Sequence, residues 1–286
     1  MSQQYDQLTY VPKPFLKWAG GKRQLIPMIK EYLPKIFETY HEPFLGGGAL
    51  LFHILYKNPR TRCSVSDLNS NLITAYATLR DNVEEVIESL KFHAKNYFKD
   101  SKSYYYSIRQ TDPKDRVEKT ARLIFLNRTC FNGLYRVNSK GKFNVPLGRY
   151  TNPNIVNEEN LRVVSRILKS RDISIQCKDF ALVLDQSRKN DFVYFDPPYH
   201  PISKTSNFTS YTHQDFGIDD LQRLAKTCNA LDDNGCKVLL SNSDSPEVFN
   251  LFSEKKWNIV KMGANRSINS DSKKRKGHYE LLIKNY

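Results

Sequence analysis

An α/β fold on an open, doubly wound sheet is what this sequence of 286 residues predicts, and three stretches predict it. Glu42-Pro43-Phe44-Leu45-Gly46-Gly47-Gly48 leads into the apolar run Ala49 to Tyr56. That is a strand, a glycine turn and a helix, the opening of a nucleotide-binding sheet. Cys63 to Asp67 is a second short strand, ending in an acid about 20 residues after the turn, the spacing from which a carboxylate grips ribose hydroxyls. Asp191 to Phe195 reads as a buried strand halted by Pro197 and Pro198, neither of which can donate to a sheet ladder.

Composition narrows the class of protein. With 40% hydrophobic residues the chain can bury a core as one large domain or two smaller ones. No apolar run approaches the ~18 residues that span a bilayer, and Met1 to Tyr10 lacks a signal-peptide core. The five cysteines, at 63, 130, 177, 228 and 236, form no C-x-x-C pair. Reduced thiols in a cytoplasmic protein are expected, with neither a disulfide frame nor a zinc site. The formal charge of +14 points to a polyanionic partner.

Taken in order, Phe15-Leu16-Lys17-Trp18-Ala19-Gly20-Gly21-Lys22 enters a segment of helical spacing, Arg23 to Ile29. A P-loop is excluded, because Leu16 stands where its first glycine belongs and Arg23 where Ser or Thr would hold magnesium. Glycines at 46 and 48 would let backbone approach a ligand without an intervening Cβ. Asp67 has two readings, ribose ligand or N-cap of a helix at Leu72 to Leu79, and Asn69 or Ser70 could cap equally well. Glu84 to Phe98 and Arg116 to Asn127 read as helices. Between Asn127 and Tyr150 the Asn-Ser-Lys-Gly centre with alternating flanks predicts a β-hairpin. It interleaves Arg, Lys and Asn with Phe and Tyr, the residue types that hold phosphates, read base edges and wedge between bases. A solvated basic hairpin would have the same composition.

The chain returns to the sheet at Ile173 to Cys177, followed by Lys178-Asp179-Phe180. Asp196 then stands at a strand's carboxyl end, where ligands bind in open α/β sheets. An ionised Asp only accepts hydrogen bonds. The Pro197 carbonyl is a second acceptor and Tyr199 a stacking surface. Together they suit a planar group bearing an exocyclic amine, whose conjugated nitrogen needs help to attack. A capped turn punctuated by Pro-Pro is the alternative. The polar run His200 to Tyr211 is long enough to close over a ligand, and His200 and His213 read as loop histidines. Leu221 to Leu231 is a helix, Cys236 to Asn242 a buried strand, and strands at Trp257 to Met262 and Tyr279 to Ile283 flank the basic run 266–277.

Asp196-Pro197-Pro198-Tyr199 resembles the catalytic motif of amino-methyltransferases acting on N6 of adenine in DNA. From about Pro14 to the C-terminus the chain is similar to the Dam family, GATC-modifying methylases of type II restriction systems included. The resemblance implies a doubly wound, Rossmann-like methyltransferase sheet formed by 1–72 and 171–286. An inserted, mainly helical target-recognition domain would span 73–170 and carry the hairpin. It implies S-adenosylmethionine as cofactor, contacted by Trp18, Lys22, Gly46, Gly48, Asp67, Asp179, Phe180 and Asp196, with Lys22 near its carboxylate. It implies double-stranded DNA as partner, no metal, and a cytoplasmic, nucleoid-associated enzyme, with a restriction endonuclease acting on the same site as a companion in function. Lys17 would help read a guanine and Arg136 would bind another in the major groove. Phe131 would insert beside a flipped adenine, and Leu134 and Pro146 would press on thymine methyls. Asn132, Asn144, Arg149 and Tyr150 would set the phosphate register, with Asn138 among the DNA contacts. Three rivals remain: an N4-cytosine methyltransferase, which usually has Ser for the first Asp; a protein-amide methyltransferase, which more often shows Asn-Pro-Pro-Tyr; and a non-catalytic DNA-binding module.

Overall fold

The short β-branched and aromatic runs become strands of one sheet in the computed structural model, which describes residues 11–18, 25–198, 216–253, 256–264 and 278–286. Its strands are β1 (Thr39–Glu42), β2 (Arg62–Asp67), β3 (Ile173–Cys177), β4 (Phe192–Phe195), β5 (Lys237–Ser243), β6 (Asn258–Ala264) and β7 (His278–Lys284). Their order across the sheet is β3-β2-β1-β4-β5-β7-β6. β7 runs antiparallel to both neighbours and the remaining pairs are parallel. The chain leaves β1 toward one edge and β4 toward the other, so the switch point lies between these two strands. This is the expected doubly wound, Rossmann-like sheet, and its ligand crevice belongs outside the carboxyl ends of β1 and β4.

Alternation along β4 divides the core. Phe192 and Tyr194 join Tyr40, Leu239 and Leu282 on one face, where α2 (Ala49–Lys57) and α3 (Ser70–Asp81) pack. Val193 and Phe195 join Val238, Leu240, Leu281 and Ile283 on the other, beneath α8 (Ile218–Asp233) and α9 (Pro246–Leu251). A strand buried on both faces must be apolar throughout, which is why β4 reads as an unbroken run.

Between α3 and β3 the chain is helical: α4 (Val83–Tyr97), α5 (Ser101–Gln110), α6 (Arg116–Thr129) and α7 (Glu158–Ser170). α4 buries Val83, Val86, Ile87, Leu90 and Tyr97, one stripe at helical spacing. Asn69, Asp100 and Asp115 cap α3, α5 and α6 by accepting first-turn N–H groups. These helices share a continuous core with the first sheet face, Tyr105 and Phe125 clustering with Leu51 and Tyr76. Neither α5 nor α7 is among the expected helices, although Leu161, Val164 and Leu168 keep the spacing. The helix expected over 23–29 is described only as α1 (Ile26–Ile29), a single turn.

The expected β-hairpin has no continuous ladder. Single bridges join Cys130 to Leu147 and Val137 to Phe143, and the segments between are irregular. Asn132 and Gly133 are both left-handed, with φ of 53° and 64°, and Pro146 cannot donate. What folds the turn instead is Asn138, whose side-chain oxygen accepts the N–H of Lys140 and of Lys142.

Candidate active site and recognition segment

Four strand ends supply the rim. The β1 end carries Glu42 and the glycine turn, the β2 end Asp67, the β3 end Asp179, and the β4 end Asp196, Pro197 and Pro198. Gly46 and Gly48 both have positive φ, 49° and 68°. The structure adds a packing reason for them. A Cβ on Gly46 would stand 2.8 Å from the Trp18 ring, and one on Gly48 would stand 2.6 Å from the Tyr76 hydroxyl. Tyr76 donates to the Gly46 carbonyl at 3.1 Å, so the turn is braced from below.

Asp67 is not the cap of α3; Asn69 is. The Asp67 carboxylate accepts the Gly46 N–H on one oxygen and the Asn69 N–H on the other, each at 2.9 Å. It thereby locks the glycine turn to the β2–α3 connection, and any ribose contact must share its remaining lone pairs. Burial raises its pKa against the pull of those backbone donors. Asp179 caps the following 3-10 turn at Ala181 and pairs with Arg223. Phe180 is buried, stacked on Phe44 at 5.2 Å, with the Arg223 guanidinium over its ring. Both therefore have structural work beside the expected cofactor role.

Glu42 does not stand out in the sequence. It is 3% exposed, and its Oε2 has no hydrogen-bond partner among the described residues. Burial first, then the Asp196 and Asp67 carboxylates, hold its carboxyl well above the ordinary range. The unfolded chain releases this proton at ordinary carboxylate pH, and the folded chain keeps it. Stability must therefore fall as pH climbs from that range toward the raised value, by up to about 1.4 kcal/mol per pH unit. Glu42→Gln, neutral throughout, is expected to flatten the decline of melting temperature with pH in a calorimetric series, without abolishing it, because Asp67 titrates in the same sense. An unchanged slope would remove Glu42 from this account.

Asp196 is half-buried, and its Oδ1 accepts the Ser241 hydroxyl at 2.9 Å. Lys22 and Tyr199 lie outside the described residues, as do His200, the run to Tyr211, His213 and the basic run 266–277.

The N-terminal strap is tied to the helical region by side-chain amides. Asn160 bonds both backbone groups of Lys13 at 2.8 Å. Asn127 accepts the Lys17 N–H and donates to the Lys17 carbonyl, each at 2.7 Å, and donates to Gly133 O at 2.9 Å. Arg128 holds the Phe15 carbonyl at 2.7 Å. Trp18 is thus set against Gly46 on one side and stacked on Tyr135 on the other, 5.3 Å between centroids. Tyr135 in turn accepts from Asn71, at the start of α3. The glycine turn and the irregular hairpin meet through these two rings. Neither Asn127 nor Tyr135 stood out in the sequence, because an amide in a helix and a Tyr in a basic hairpin look ordinary until their partners are known.

Within the hairpin, Lys17 Nζ sits 4.1 Å from the Tyr150 ring centroid, a cation–π contact. Arg136 Nε donates to Asn144 Oδ1 at 2.7 Å, so any phosphate contact by Asn144 would have to use its amide nitrogen. Phe131 is 44% exposed and its N–H is held by the Pro146 carbonyl. Asn132, Asn138, Pro146 and Arg149 are exposed, whereas Leu134 is half-buried. The return arm is fixed on α5, where Tyr105 and Arg109 both donate to the Val145 carbonyl. Among the described residues no cluster of His, Cys, Asp and Glu could hold a metal ion, and no helix is long and apolar enough to cross a membrane.

The rim of acids at a switch point, joined to a basic hairpin, agrees with comparisons to known proteins. Type II methyltransferase M.MjaIII of Methanocaldococcus jannaschii is 47% identical over 96% of this chain and 99% of its own. Type II methyltransferase M1.LlaDCHI of Lactococcus lactis subsp. cremoris is 43% identical over 96% of this chain and 95% of its own. DNA adenine methylase of Escherichia coli K12 is 33% identical over 94% of both. The model of the D12 class N6 adenine-specific DNA methyltransferases matches residues 18–268, and with these relatives in agreement the chain belongs to that family, an enzyme that methylates N6 of adenine in DNA.

Proposed function

We propose that the protein transfers the methyl group of S-adenosylmethionine to N6 of an adenine flipped out of duplex DNA, in the sequence GATC. The single observation that carries the reading is the half-buried Asp196 at the carboxyl end of β4, beside the switch point and across from the braced glycine turn. Trp18, Lys22, Gly46, Gly48, Asp67, Asp179 and Phe180 would hold the cofactor. When bound, S-adenosylmethionine supplies an electrophilic methyl group whose sulfur keeps the bonding pair as it departs. Asp196 and the Pro197 carbonyl accept the two N–H bonds of the adenine amine, drawing its lone pair out of conjugation and toward the methyl carbon. Tyr199 stacks on the extruded base. Nitrogen becomes cationic as it gains the methyl group, and the nearby carboxylate stabilises that charge until a proton leaves to solvent.

Site reading is assigned to Lys17, Arg136, Leu134 and Pro146, insertion to Phe131, and backbone register to Asn132, Asn138, Asn144, Arg149 and Tyr150, all within the recognition segment 73–170 except Lys17. Plasmid incubated with enzyme and cofactor should resist a nuclease blocked by adenine methylation in GATC, and should become a substrate for one that requires it. Resistance at another sequence, or none, would overturn the site assignment. A restriction endonuclease of the same specificity would be its companion in function, with no direct complex needed. Arg136→Ala is expected to cost about 1–3 kcal/mol of discrimination at one base pair in competition assays with single-substitution oligonucleotides. Equal weakening on every sequence would make Arg136 a phosphate contact instead.

A further inference from the structure

We infer that Ser241 is a positioning residue for Asp196, the last link of a directional hydrogen-bond chain that runs through the Tyr194 hydroxyl. The inference rests on the catalytic reading of Asp196 given above.

Tyr194 and Asp196 are two apart at the end of β4 and so project to one face of the sheet. The parallel register of β4 with β5 pairs Phe195 with Leu240, which brings Ser241 level with Asp196. Ser241 is itself paired with Leu282 of β7 on its other side. It is 0% exposed, and Tyr194 is 1% exposed. The Ser241 oxygen lies 2.9 Å from Asp196 Oδ1, 3.2 Å from the Tyr194 hydroxyl and 3.5 Å from the Phe195 carbonyl.

A serine hydroxyl has one proton to give. An ionised Asp196 can only accept, and it is the nearer and charged acceptor, so that proton goes to Oδ1. The contact with Tyr194 must then run the other way, the phenol donating to the serine oxygen. The order is Tyr194 to Ser241 to Asp196. Because Ser241 sits on an interior strand between two paired neighbours and is fully buried, its backbone is fixed and its hydroxyl is limited to the staggered rotamers that the packing admits. The hydrogen bond from this buried hydroxyl therefore restrains rotation of the Asp196 carboxylate, and with it the plane in which the group would meet the adenine amine. Alignment errors of about 1 Å at a reacting centre can cost on the order of 10²-fold in rate.

The test is single-turnover methylation of a GATC duplex by Ser241→Ala, Ser241→Cys and Ser241→Thr, each in the wild-type and the Asp196→Asn background, alongside cofactor and duplex affinities. Ser241→Ala should slow methyl transfer by about 10- to 100-fold while both affinities stay near wild type. Removing a donor to a carboxylate raises its pKa, so the acid limb of the rate profile should move to higher pH. Ser241→Cys, close in volume and a weak donor, should show the same signs without leaving a hole. Ser241→Thr should restore rate and profile. In the Asp196→Asn background, which itself should be slow, Ser241→Ala should add no further loss. A wild-type rate and profile in Ser241→Ala and Ser241→Cys would overturn the inference. So would a full extra loss on top of Asp196→Asn, the mark of a structural role. If Asp196→Asn alone keeps the wild-type rate, the catalytic reading of Asp196 fails first, and this inference with it.

Discussion

Asp196→Ala is expected to slow methyl transfer by on the order of 10³-fold while leaving DNA affinity within a few-fold of wild type. The size follows from what the carboxylate does. The adenine amine donates its lone pair into the ring and attacks poorly until its two N–H bonds are held by acceptors. In the proposed mechanism Asp196 supplies the charged acceptor and faces the nitrogen as it turns cationic, so its contribution would grow between ground state and transition state and appear in the rate of the chemical step. Alanine removes both effects together. DNA affinity should persist because the cations and the wedge assigned to DNA lie on the strap and the hairpin, at Lys17, Phe131 and Arg136. The phosphate contacts that dominate affinity are sequence-independent. The check is single-turnover transfer of labelled methyl beside a binding titration on the same duplex. A variant that still methylates at near the wild-type rate would move the chemistry elsewhere on the rim. One that loses transfer and DNA binding in parallel would make Asp196 a structural residue.

How much of this could be read from the residues alone depends on distance along the chain. The sheet was legible because its signals are local. Phe192 to Phe195 is apolar throughout because β4 is buried on both faces, and Pro197 ends it by chemistry no neighbour can override. Leu221 to Leu231 and Arg116 to Asn127 fell inside the observed α8 and α6 for the same reason, since their stripes repeat with the helical period. The hairpin pairs less regularly than its sequence implies. Alternation between Val137 and Phe143 is present, but left-handed backbone at Asn132 and Gly133 lets the chain pair only at single points. In the site, the strand-end acids were legible by position, whereas their partners were not. Ser241 is a small residue in an apolar strand, and only the register of β4 against β5 reveals that it meets a carboxylate. The buried run Ser241-Asn242-Ser243 was the available signal, since three consecutive polar residues in the interior strand of a sheet require partners. Glu42 was hidden likewise by the glycines that follow it. Its raised pKa comes first from burial and then from the Asp196 and Asp67 carboxylates, neighbours that only the folded sheet brings to one rim.

Asn127→Ala should lower the melting temperature by roughly 3–7 °C, weaken the cofactor and relax reading of the base assigned to Lys17, three effects from one amide. Asn127 is 0% exposed at the last turn of α6. Its oxygen accepts from Lys17 N–H, and its nitrogen spends both protons on Lys17 O and Gly133 O. Alanine would leave one N–H and two carbonyls without partners in a part-buried seam. At about 1–3 kcal/mol for each group fully shut from water, and less where water enters, the total is about 2–4 kcal/mol. The functional cost has a separate origin. Lys17 and Trp18 are neighbours on the strap, one over Tyr150 and the other between Gly46 and Tyr135. When the strap loosens, the lysine assigned to base reading and the ring assigned to the cofactor lose their places together. Asn127→Asp separates geometry from hydrogen bonding. It preserves shape and the acceptor, but it cannot donate when ionised and sets a negative charge against two carbonyl oxygens. It should therefore be no better than alanine in melting temperature, cofactor titration and duplex discrimination. If Asp were as good as Asn, the two donated bonds to Lys17 and Gly133 would not be what ties the N-terminal strap to the hairpin.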